Sequence, residues 1–571
     1  MCIRHEYLAV MLGIWLAACS SPPPPAADLV LRNGRLLTMD EARPEAQALA
    51  ARAGRIVFVG ADADAARYIG PSTRTIDLQG RLAIPGFIEA HGHFVGLGER
   101  KLGLELTATT SWPQIVQAVA GAVARARPGQ WIVGRGWHQD KWTAVPEPNV
   151  EGFPTHVSLD AVSPDNPVML VHASGHGVFV NAKALALSGI TRATPEPTGG
   201  DILKDARGEP AGFLRENAAQ LVKRGAGEPE PTAEGAASRF REVLRLADQE
   251  AIAKGVTSFQ DAGEPFATID ALRSAVDRGD LRVRLWVMVQ GRVAELSDKL
   301  ARYKTIGDGH DMLTVRAVKV YADGAMGSRG AWLLQPYADK PESVGLPRPD
   351  MATLPQVARL AIEQGYQLAV HAIGDRANRE VLNVYEAAFK AAGRRGADLR
   401  WRIEHAQQLN AADIPRFGAL GVIASMQPVH ATSDGSWVGE RIGPARLEEG
   451  AYVWRKLLAS GAALAVGTDV PVEDIDPIAN YYAAVTRRLA DGGVLTGDQR
   501  LSRLEALRAF TLGNAFAAFE ESIKGSLGVG KLADVTVLSK DITAVPDDEI
   551  RSARVVYTIV GGQVRYVAAG L

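Results

Sequence analysis

Eight short apolar segments that alternate with helical stretches predict an α/β protein built on a (β/α)8, TIM-like barrel. Near-continuous apolar runs are typical of parallel strands that are buried on both faces. Strand-rich segments at both ends of the chain predict a small β-sandwich domain built from both termini. A long interruption after the first barrel strand predicts a large insertion, because a structureless connection of that length is uncommon in a compact domain.

The chain is long enough for a barrel and a companion domain, and its composition is that of an ordinary globular protein. It has 571 residues, of which 47% are hydrophobic and 22% are charged. The formal net charge of -2 provides no basic field, so we expect no nucleic-acid partner. The sequence leaves the oligomeric state open, a homo-oligomer included.

The N-terminus has the pattern of an export signal. Arg4 precedes an apolar run that ends in Leu16-Ala17-Ala18-Cys19 and is too short to span a bilayer as a mature helix. This end resembles the lipobox of bacterial lipoproteins, with an ordinary secretory signal as the alternative. The resemblance implies a signal peptide over 1–18 and a lipid on Cys19. It also implies a periplasm-facing protein anchored in the cell envelope, with the outer membrane expected because Ser20 is not a retention signal.

The cysteines limit the kinds of metal site that the mature protein can build. Cys2 and Cys19 are the two cysteines of the sequence, so one leaves with the signal peptide and the other carries the lipid. Residues 19–27 then form a proline-rich tether of extended backbone. A metal would have to be held by histidine, carboxylate or a modified side chain.

The rest of the chain divides by its patterning. Residues 28–81 and 521–571 form the two parts of the β-domain, and residues 82–101 hold the first barrel strand. Residues 102–249 form the inserted subdomain, which we expect to cover the barrel mouth, and residues 250–520 hold the other seven strands. The eight candidate strands are 82–90, 256–260, 283–289, 315–321, 367–370, 401–404, 422–426 and 463–467.

Polar side chains that can bind a metal recur at the ends of these candidate strands. His91 and His93 follow the first strand two residues apart, so both imidazoles face one point. In a β/α barrel the functional groups lie at the carboxyl ends of the strands. Imidazole and carboxylate are good ligands for zinc and its neighbours. We call the residues found in this way the six candidate ligands: His91, His93, Lys319, His371, His405 and Asp469.

This ordered set resembles the metal-dependent amidohydrolase superfamily. Glu89-Ala-His-Gly-His93 resembles its strand-one signature, and Gly530-Lys-Leu-Ala-Asp534 resembles the turn into its terminal β-domain. Three longer matches narrow the resemblance to amidohydrolase family 3 and its N-substituted formamide deformylase-like branch. They are Lys319-Val-Tyr-Ala-Asp-Gly-Ala-Met-Gly-Ser-Arg329, His371-Ala-Ile-Gly-Asp-Arg376, and His176 with Val180-Asn-Ala-Lys-Ala-Leu185.

The resemblance implies a hydrolase of carbon–nitrogen bonds other than peptide bonds, with two divalent metal ions, usually zinc. His91, His93 and Asp469 would hold the more buried ion. His371 and His405 would hold the second, and an N-carboxylated Lys319 would bridge both. The alternative for Lys319 is a salt bridge to Asp323, which would leave a site for one metal.

The expected reaction is cleavage of a small-molecule amide by a metal-bound hydroxide, with Asp469 as general acid and base. By resemblance, His176 faces the metals from the insertion, and Arg329 is a second candidate for binding the substrate. The roles of His172, Glu216 and His430 stay open. Two alternatives remain: a cyclic amidine or purine-type deaminase with one metal, and a binding lipoprotein without catalytic activity.

Overall fold

The structure is a computed structural model that describes residues 24–228 and 232–570. The predicted signal peptide and Cys19 lie outside the described residues, so lipid anchoring stays a prediction. Among the helices within those two ranges, none is both long enough and apolar enough to cross a bilayer.

The centre of the molecule is a barrel of eight parallel strands that pair in chain order, which confirms the predicted fold class. Each strand runs parallel to the next, as the βα alternation requires. The strands are β1 Phe87–Gly92, β2 Val256–Glu264, β3 Arg284–Val289, β4 Leu313–Tyr321, β5 Gln367–Ala372, β6 Arg402–His405, β7 Ile423–Met426 and β8 Leu464–Val466.

Asn514 closes the seam between the last and first strands. Its side-chain amide donates to the carbonyl oxygens of Ile88 in β1, at 2.6 Å, and of Val466 in β8, at 2.8 Å. Its side-chain oxygen accepts from the backbone N–H of Val466 at 2.8 Å. Asn514 is fully buried, so these bonds are shielded from water and tie the two strands together.

The helices between the strands pack their apolar faces on the barrel. The helix Leu354–Gln364 buries Leu354, Val357, Ala358, Leu360 and Ala361, which is the spacing of one helical face. The principal helices after the first barrel unit are Phe266–Asp277, Val293–Tyr303, Leu354–Gln364, Asp375–Ala392, Ile414–Leu420, Trp454–Ala459 and Pro477–Thr486. Three short helices, Pro428–Asp434, Val438–Ile442 and Pro444–Gly450, follow β7 before the chain returns to the barrel.

The predicted first strand, 82–90, is divided between two sheets. Leu82–Pro85 pairs with Val535–Leu538 in a sheet of the terminal domain, and β1 begins only at Phe87. A Cβ at Gly86 would lie 2.1 Å from Thr257 Oγ1, so only glycine fits where the chain passes from one sheet to the other. The boundary was wrong because both pieces are apolar and buried, and the sequence shows them as one run.

The terminal domain consists of two sheets that share an apolar core, as the sequence predicts. Its core includes Leu31 and Leu49 from the first part of the chain and Val537 and Ile559 from its end. The first sheet contains Leu29–Arg32, Ala48–Arg52, Arg55–Gly60 and Arg74–Asp77. The second contains Arg35–Leu37, Glu45–Ala46, Leu82–Pro85, Val535–Leu538, Val555–Val560 and Gln563–Val567.

The insertion after β1 has a six-stranded sheet of its own. The expectation that it extends to residue 249 was wrong, because the helix Ala233–Ala253 leads directly into β2. That helix packs on the helix Phe94–Leu102, where a Cβ at Gly98 would lie 2.0 Å from the carbonyl oxygen of Val243. The sheet contains Leu104–Glu105, Ile132–Trp137, Val168–His172, Gly177–Val180, Gly200–Lys204 and Pro210–Glu216.

Candidate metal centre

All six candidate ligands line one cavity of about 350 Å³ at the carboxyl ends of the barrel strands. Four of them lie on β1, β4, β5 and β6, and the other two, His93 and Asp469, follow β1 and β8. Lys319 and His405 line this cavity and are 2% and 4% exposed, so both point into the barrel mouth and not to its outer surface. The insertion contributes the opposite wall of the cavity through Arg135 and His176.

The donor atoms converge on Asp469. Its Oδ1 lies 3.6 Å from Nε2 of His91 and 3.3 Å from Nε2 of His93. One ligand atom each from His91, His405 and Asp469 lie within 4.8 Å of one another. The ring of His405 lies 4.7 Å from that of His91 and 4.5 Å from that of His371, measured between centroids. A small cation would fit among these atoms.

The hydrogen bonding of these side chains supports a metal site. Within the described part of the chain, Nε2 of His91 and His371, Nζ of Lys319 and Oδ1 of Asp469 are buried without a hydrogen-bond partner. Buried polar atoms are normally paired, so a group of unpaired ones that faces a cavity needs an explanation. Imidazole nitrogens and a carboxylate oxygen are ligands that zinc takes in proteins. The residues present therefore fit one or more divalent ions.

The protonation states also suit a cation. Burial, together with the charge of Lys319, lowers the pKa of His91 to about 4. Burial lowers the pKa of Lys319 to about 8, and it holds the pKa values of His371 and His405 well below their usual range. Burial raises the pKa of Asp469, but the neighbouring imidazoles of His93, His91 and His405 outweigh it and leave that pKa well below its usual value. Neutral imidazoles and an ionised carboxylate are the forms that bind metal.

A buried chain of charged groups orients His91. Nδ1 of His91 donates to Oε2 of Glu404, which leaves Nε2 facing the cavity. Arg402 donates to both oxygens of Glu404, at 2.7 and 2.9 Å, and to the carbonyl oxygen of Ala90 at 2.8 Å. Nδ1 of His405 is held in the same way by Oε1 of Gln427 at 2.8 Å. These partners fix the ring orientations before any ligand arrives.

Replacing Glu404 with glutamine is expected to weaken zinc binding about 10- to 100-fold, because His91 loses the carboxylate that orients it. The measurement is a competition titration against a chromogenic chelator. The matched control is Glu520→Gln, which breaks the buried pair of Glu520 with Lys524, 2.6 Å apart and away from the cavity. The control is expected to lower the melting temperature without changing zinc affinity. Equal zinc affinity in the Glu404→Gln and unmodified proteins would refute the orienting role.

The alternative expectation for Lys319, a salt bridge to Asp323, was wrong. No such pair occurs in the described residues. Asp323 instead accepts backbone N–H bonds from Trp332, Ile373 and Gly374, at 2.8, 2.9 and 2.7 Å. These bonds hold the segment after β4 against the end of β5. The ammonium nitrogen of Lys319 lies 4.8 Å from the centroid of the Tyr321 ring, next to the imidazoles.

The backbone around the site is strained at two of the six candidate ligands. Asp469 has a φ of 60° and His405 a φ of 75°, in the left-handed region that L-residues seldom occupy. Glu89 holds the segment after β8 in place by accepting from Thr468 N at 2.7 Å and Thr468 Oγ1 at 2.8 Å. The backbone N–H of Asp469 donates to the carbonyl oxygen of His91 at 2.7 Å. The first strand and the last ligand are thereby fixed relative to each other.

His176 belongs to the insertion and lines the cavity of the six candidate ligands. Its ring centroid lies 5.2 Å from that of His371, and its Nδ1 lies 2.8 Å from Oε2 of Glu216. Glu216 also accepts from Ser328 Oγ at 3.2 Å and from Arg348 at 3.4 Å. Burial raises the pKa of Glu216, but the neighbouring His176 and Arg348 outweigh it and lower that pKa overall. Glu216 thus orients His176 towards the six candidate ligands.

The geometry does not support a substrate contact for Arg329. Its guanidinium donates to Asp339 at 2.8 and 3.2 Å, and the residue is not among those that line the cavity of the six candidate ligands. Both ring nitrogens of His172 are also engaged in local hydrogen bonds, with Gln139 at 2.9 Å and with Ser174 at 2.8 Å.

The structure adds residues to the site that were not among the candidate ligands, including His430, whose role the sequence left open. Nε2 of His430 is buried, has no hydrogen-bond partner in the described ranges, and lies 3.9 Å from Oδ2 of Asp469. His430 and Gln427 follow β7 directly, so the strand-end pattern that found the other ligands also covered this strand. Arg402 and Glu404 lie within β6, where the sequence does not distinguish them from polar residues that face solvent. Arg135 belongs to the insertion, where no strand-end argument applies.

Comparison with known proteins finds relatives that are similar over nearly the whole chain. Residues 74–566 match the amidohydrolase family. The chain is 34% identical to Protein LONG AFTER FAR-RED 3 of Arabidopsis thaliana, over 99% of this chain and 96% of that protein. It is 32% identical to the putative amidohydrolase YtcJ of Bacillus subtilis, over 88% and 92%. It is 29% identical to the N-substituted formamide deformylase of Arthrobacter pascens, over 95% and 99%.

Solved structures agree with this placement. An uncharacterized metal-dependent hydrolase from Pyrococcus horikoshii superposes with a TM-score of 0.72 at 27% identity, over 91% of this chain and 99% of that one. The zinc-bound atrazine chlorohydrolase TrzN of Arthrobacter aurescens has a TM-score of 0.51 at 16% identity over 94% of both chains, which shows a shared fold. The match over residues 74–566 and the convergent ligands together show that this chain belongs to the amidohydrolase family of metal-dependent hydrolases.

Proposed function

We propose that this protein hydrolyses an amide-type carbon–nitrogen bond of a small molecule, using two divalent metal ions, zinc in the first place, held by the six candidate ligands. We also propose that Lys319 is N-carboxylated. The observation that carries the proposal is the set of buried, unpaired donor atoms that converge on Asp469. The formamide deformylase relative, similar over nearly its whole length, supports the bond type.

When bound, divalent ions supply Lewis acidity, which activates water and polarises a carbonyl group. Asp469 is the group that moves the proton. It is ionised, and its two oxygens face His93 on one side and His430 on the other, at 3.3 and 3.9 Å. A carboxylate in that position can accept a proton from the attacking water and return it to the leaving nitrogen.

His176 is placed to act on the substrate carbonyl. Because its Nδ1 is bonded to Glu216, its Nε2 is free to meet a ligand from the side of the insertion. When both ring nitrogens carry a proton, Nδ1 donates to Glu216 and Nε2 can donate to the carbonyl oxygen, where it stabilises the negative charge that develops during attack. Next to it, Met326, Ile373 and Trp437 line a second arm of the cavity that shares His176 and His371 with the first. This arm would take an apolar part of the substrate.

Removing the metal is expected to abolish hydrolysis, because the water and the carbonyl lose their Lewis acid. A panel of N-formyl and N-acyl amines is assayed before chelation, after dialysis against a chelator, and after zinc is returned. Elemental analysis of the active form is expected to give two ions per chain. His156→Ala, which removes a histidine paired with Asp160 outside the cavity, is the control and should keep both metal and activity. Undiminished turnover in the stripped protein would refute the proposal, and one ion per chain would favour a deaminase.

We further propose that the mature protein is anchored through a lipid on Cys19 and faces the periplasm from the outer membrane. The support is the lipobox-like segment together with the proline-rich residues 22–25, which would separate the enzyme from the membrane surface. In this arrangement the enzyme would meet substrates that enter the periplasm.

A further inference from the structure

Arg135 is a cation in the wall of the metal cavity, supplied by the insertion strand Ile132–Trp137. Its guanidinium makes two hydrogen bonds, both to backbone carbonyl oxygens: Nε donates to Pro471 at 3.3 Å and Nη2 to Ala173 at 3.2 Å. A guanidinium has five N–H donors and keeps its charge at all ordinary pH values. Most of the donors of Arg135 are therefore available to a ligand.

The other arginines around the cavity are neutralised by carboxylates. Arg348 pairs with Glu216, and Arg441 pairs with Asp339 and Asp140. Arg100, which also donates to Pro471, pairs with Glu105. In residues 24–228 and 232–570, Arg135 has no such salt-bridge partner. Burial lowers its pKa to about 10, against the opposing charges of Asp469 and Glu105, neither of which forms a salt bridge with it.

Arg135 lies close to the place where the substrate bond would be cleaved. Pro471, which accepts from its Nε, is two residues from Asp469, and both residues line the same cavity. A Cβ at Gly175 would lie 3.2 Å from Nη2 of Arg135, so the glycine leaves this face of the guanidinium uncovered. A charge without a partner, in a water-poor wall beside the proton-transfer group, is stabilised when an anion binds.

We propose that Arg135 binds an anionic oxygen group on the substrate, a carboxylate or a phosphonate, close to the amide that is cleaved. The substrates are then N-acylated amino acids or aminophosphonates and not neutral N-acyl amines. This inference rests on the proposed function and narrows its substrate class. Carboxylates and phosphonates fit because a guanidinium can meet two of their oxygens with two parallel N–H bonds.

A second role for Arg135 would give a different result. If it acted on the charge of Asp469 or on the carbonyl oxygen, its loss would slow every substrate, charged or neutral, through kcat. If it binds an anion on the substrate, its loss raises KM for acids alone. The two roles are therefore separated by comparing substrates that differ only in that group.

The experiment uses the zinc-loaded full chain and three matched compounds: an N-acyl amino acid, its aminophosphonate analogue and its neutral carboxamide. Each compound is tested as both enantiomers. Wild-type protein is expected to prefer an acid to the carboxamide by about 10- to 100-fold in kcat/KM, through KM, as a charge-assisted contact provides. Arg135→Gln removes that preference by raising KM for the acids, and Arg135→Lys keeps part of it. Arg100→Gln, a charge loss outside the cavity, retains the full preference. Comparing kcat/KM for the carboxylate and the phosphonate shows which anion is preferred.

Two results overturn the inference: Arg135→Gln slows acid and carboxamide equally, or the wild type prefers the carboxamide. If no N-acyl compound is cleaved at all, the proposed function fails and binding decides the inference separately. Calorimetric titration of Asp469→Asn with the acid and the carboxamide then shows tighter binding of the acid, and the double variant with Arg135→Gln loses the difference. Equal binding of acid and carboxamide to Asp469→Asn would overturn it.

Discussion

The variant Asp469→Asn is expected to lose about 10³-fold in kcat while it keeps its metal, because the amide cannot take up the proton of the attacking water. The amide retains an oxygen that can face the imidazoles of His91 and His93, which now lie 3.6 and 3.3 Å from Oδ1. Binding of a product-like ligand should therefore change little. The measurement is steady-state kinetics on the best compound of the panel, together with elemental analysis of the same preparation.

Asp474→Asn is the matched control for that variant. Asp474 lies in the same segment after β8, but its carboxylate is more than half exposed and pairs with Lys254 outside the cavity. Its neutralisation should leave kcat and metal content as they are. Full activity of Asp469→Asn, with its metal retained, would remove Asp469 from the proton-transfer role and leave His430 as the nearest alternative base.

Lys319→Ala is expected to reduce zinc affinity by at least about 100-fold and turnover to background, because the proposed bridging ligand is lost from a cavity that depends on it. Burial lowers the pKa of Lys319 to about 8, so a sizeable fraction of its amine is neutral near that pH and can react with carbon dioxide. Metal reconstitution of the unmodified protein should therefore be stimulated by bicarbonate.

Carbon-13-labelled bicarbonate gives the direct measurement, since a carbamate resonance should appear in the zinc-loaded protein and be missing from Lys319→Ala. Lys524→Ala controls for the loss of a buried lysine. Lys524 is equally buried, but it is paired with Glu520 and donates to Ser258 Oγ at 2.6 Å. That variant should be less stable, yet bind two zinc ions and give the resonance. A Lys319→Ala protein with full metal content and activity would refute the bridging role.

The order of the barrel strands could be predicted because each strand leaves a local signal. A strand buried on both faces is a short apolar run, and the polar residue that ends it is the one that reaches the site. His371 and His405 were found in this way, from β5 and β6 alone. His430 follows β7 in the same manner, so the same strand-end pattern also covers it as a candidate ligand.

Boundaries could not be predicted where neighbouring segments carry the same local signal. Leu82–Pro85 and Phe87–Gly92 are both apolar and buried, and only the pairing of the former with Val535–Leu538 assigns it to the other sheet. The helix Ala233–Ala253 is likewise helical by its own sequence, and its contact with Phe94–Leu102 is what makes it part of the barrel. Pairing partners far apart in the chain decide such cases.

Sequence alone determined the fold class, the six candidate ligands and the kind of chemistry they support, because strand periodicity and ligand type are properties of short stretches of chain. The tertiary structure decided which charges meet. It paired Arg329 with Asp339, kept Asp323 from Lys319 by giving it backbone donors, and left Arg135 without a salt-bridge partner in the described residues. The physical reason is that burial and counter-charge depend on contacts between distant segments, which no local pattern encodes.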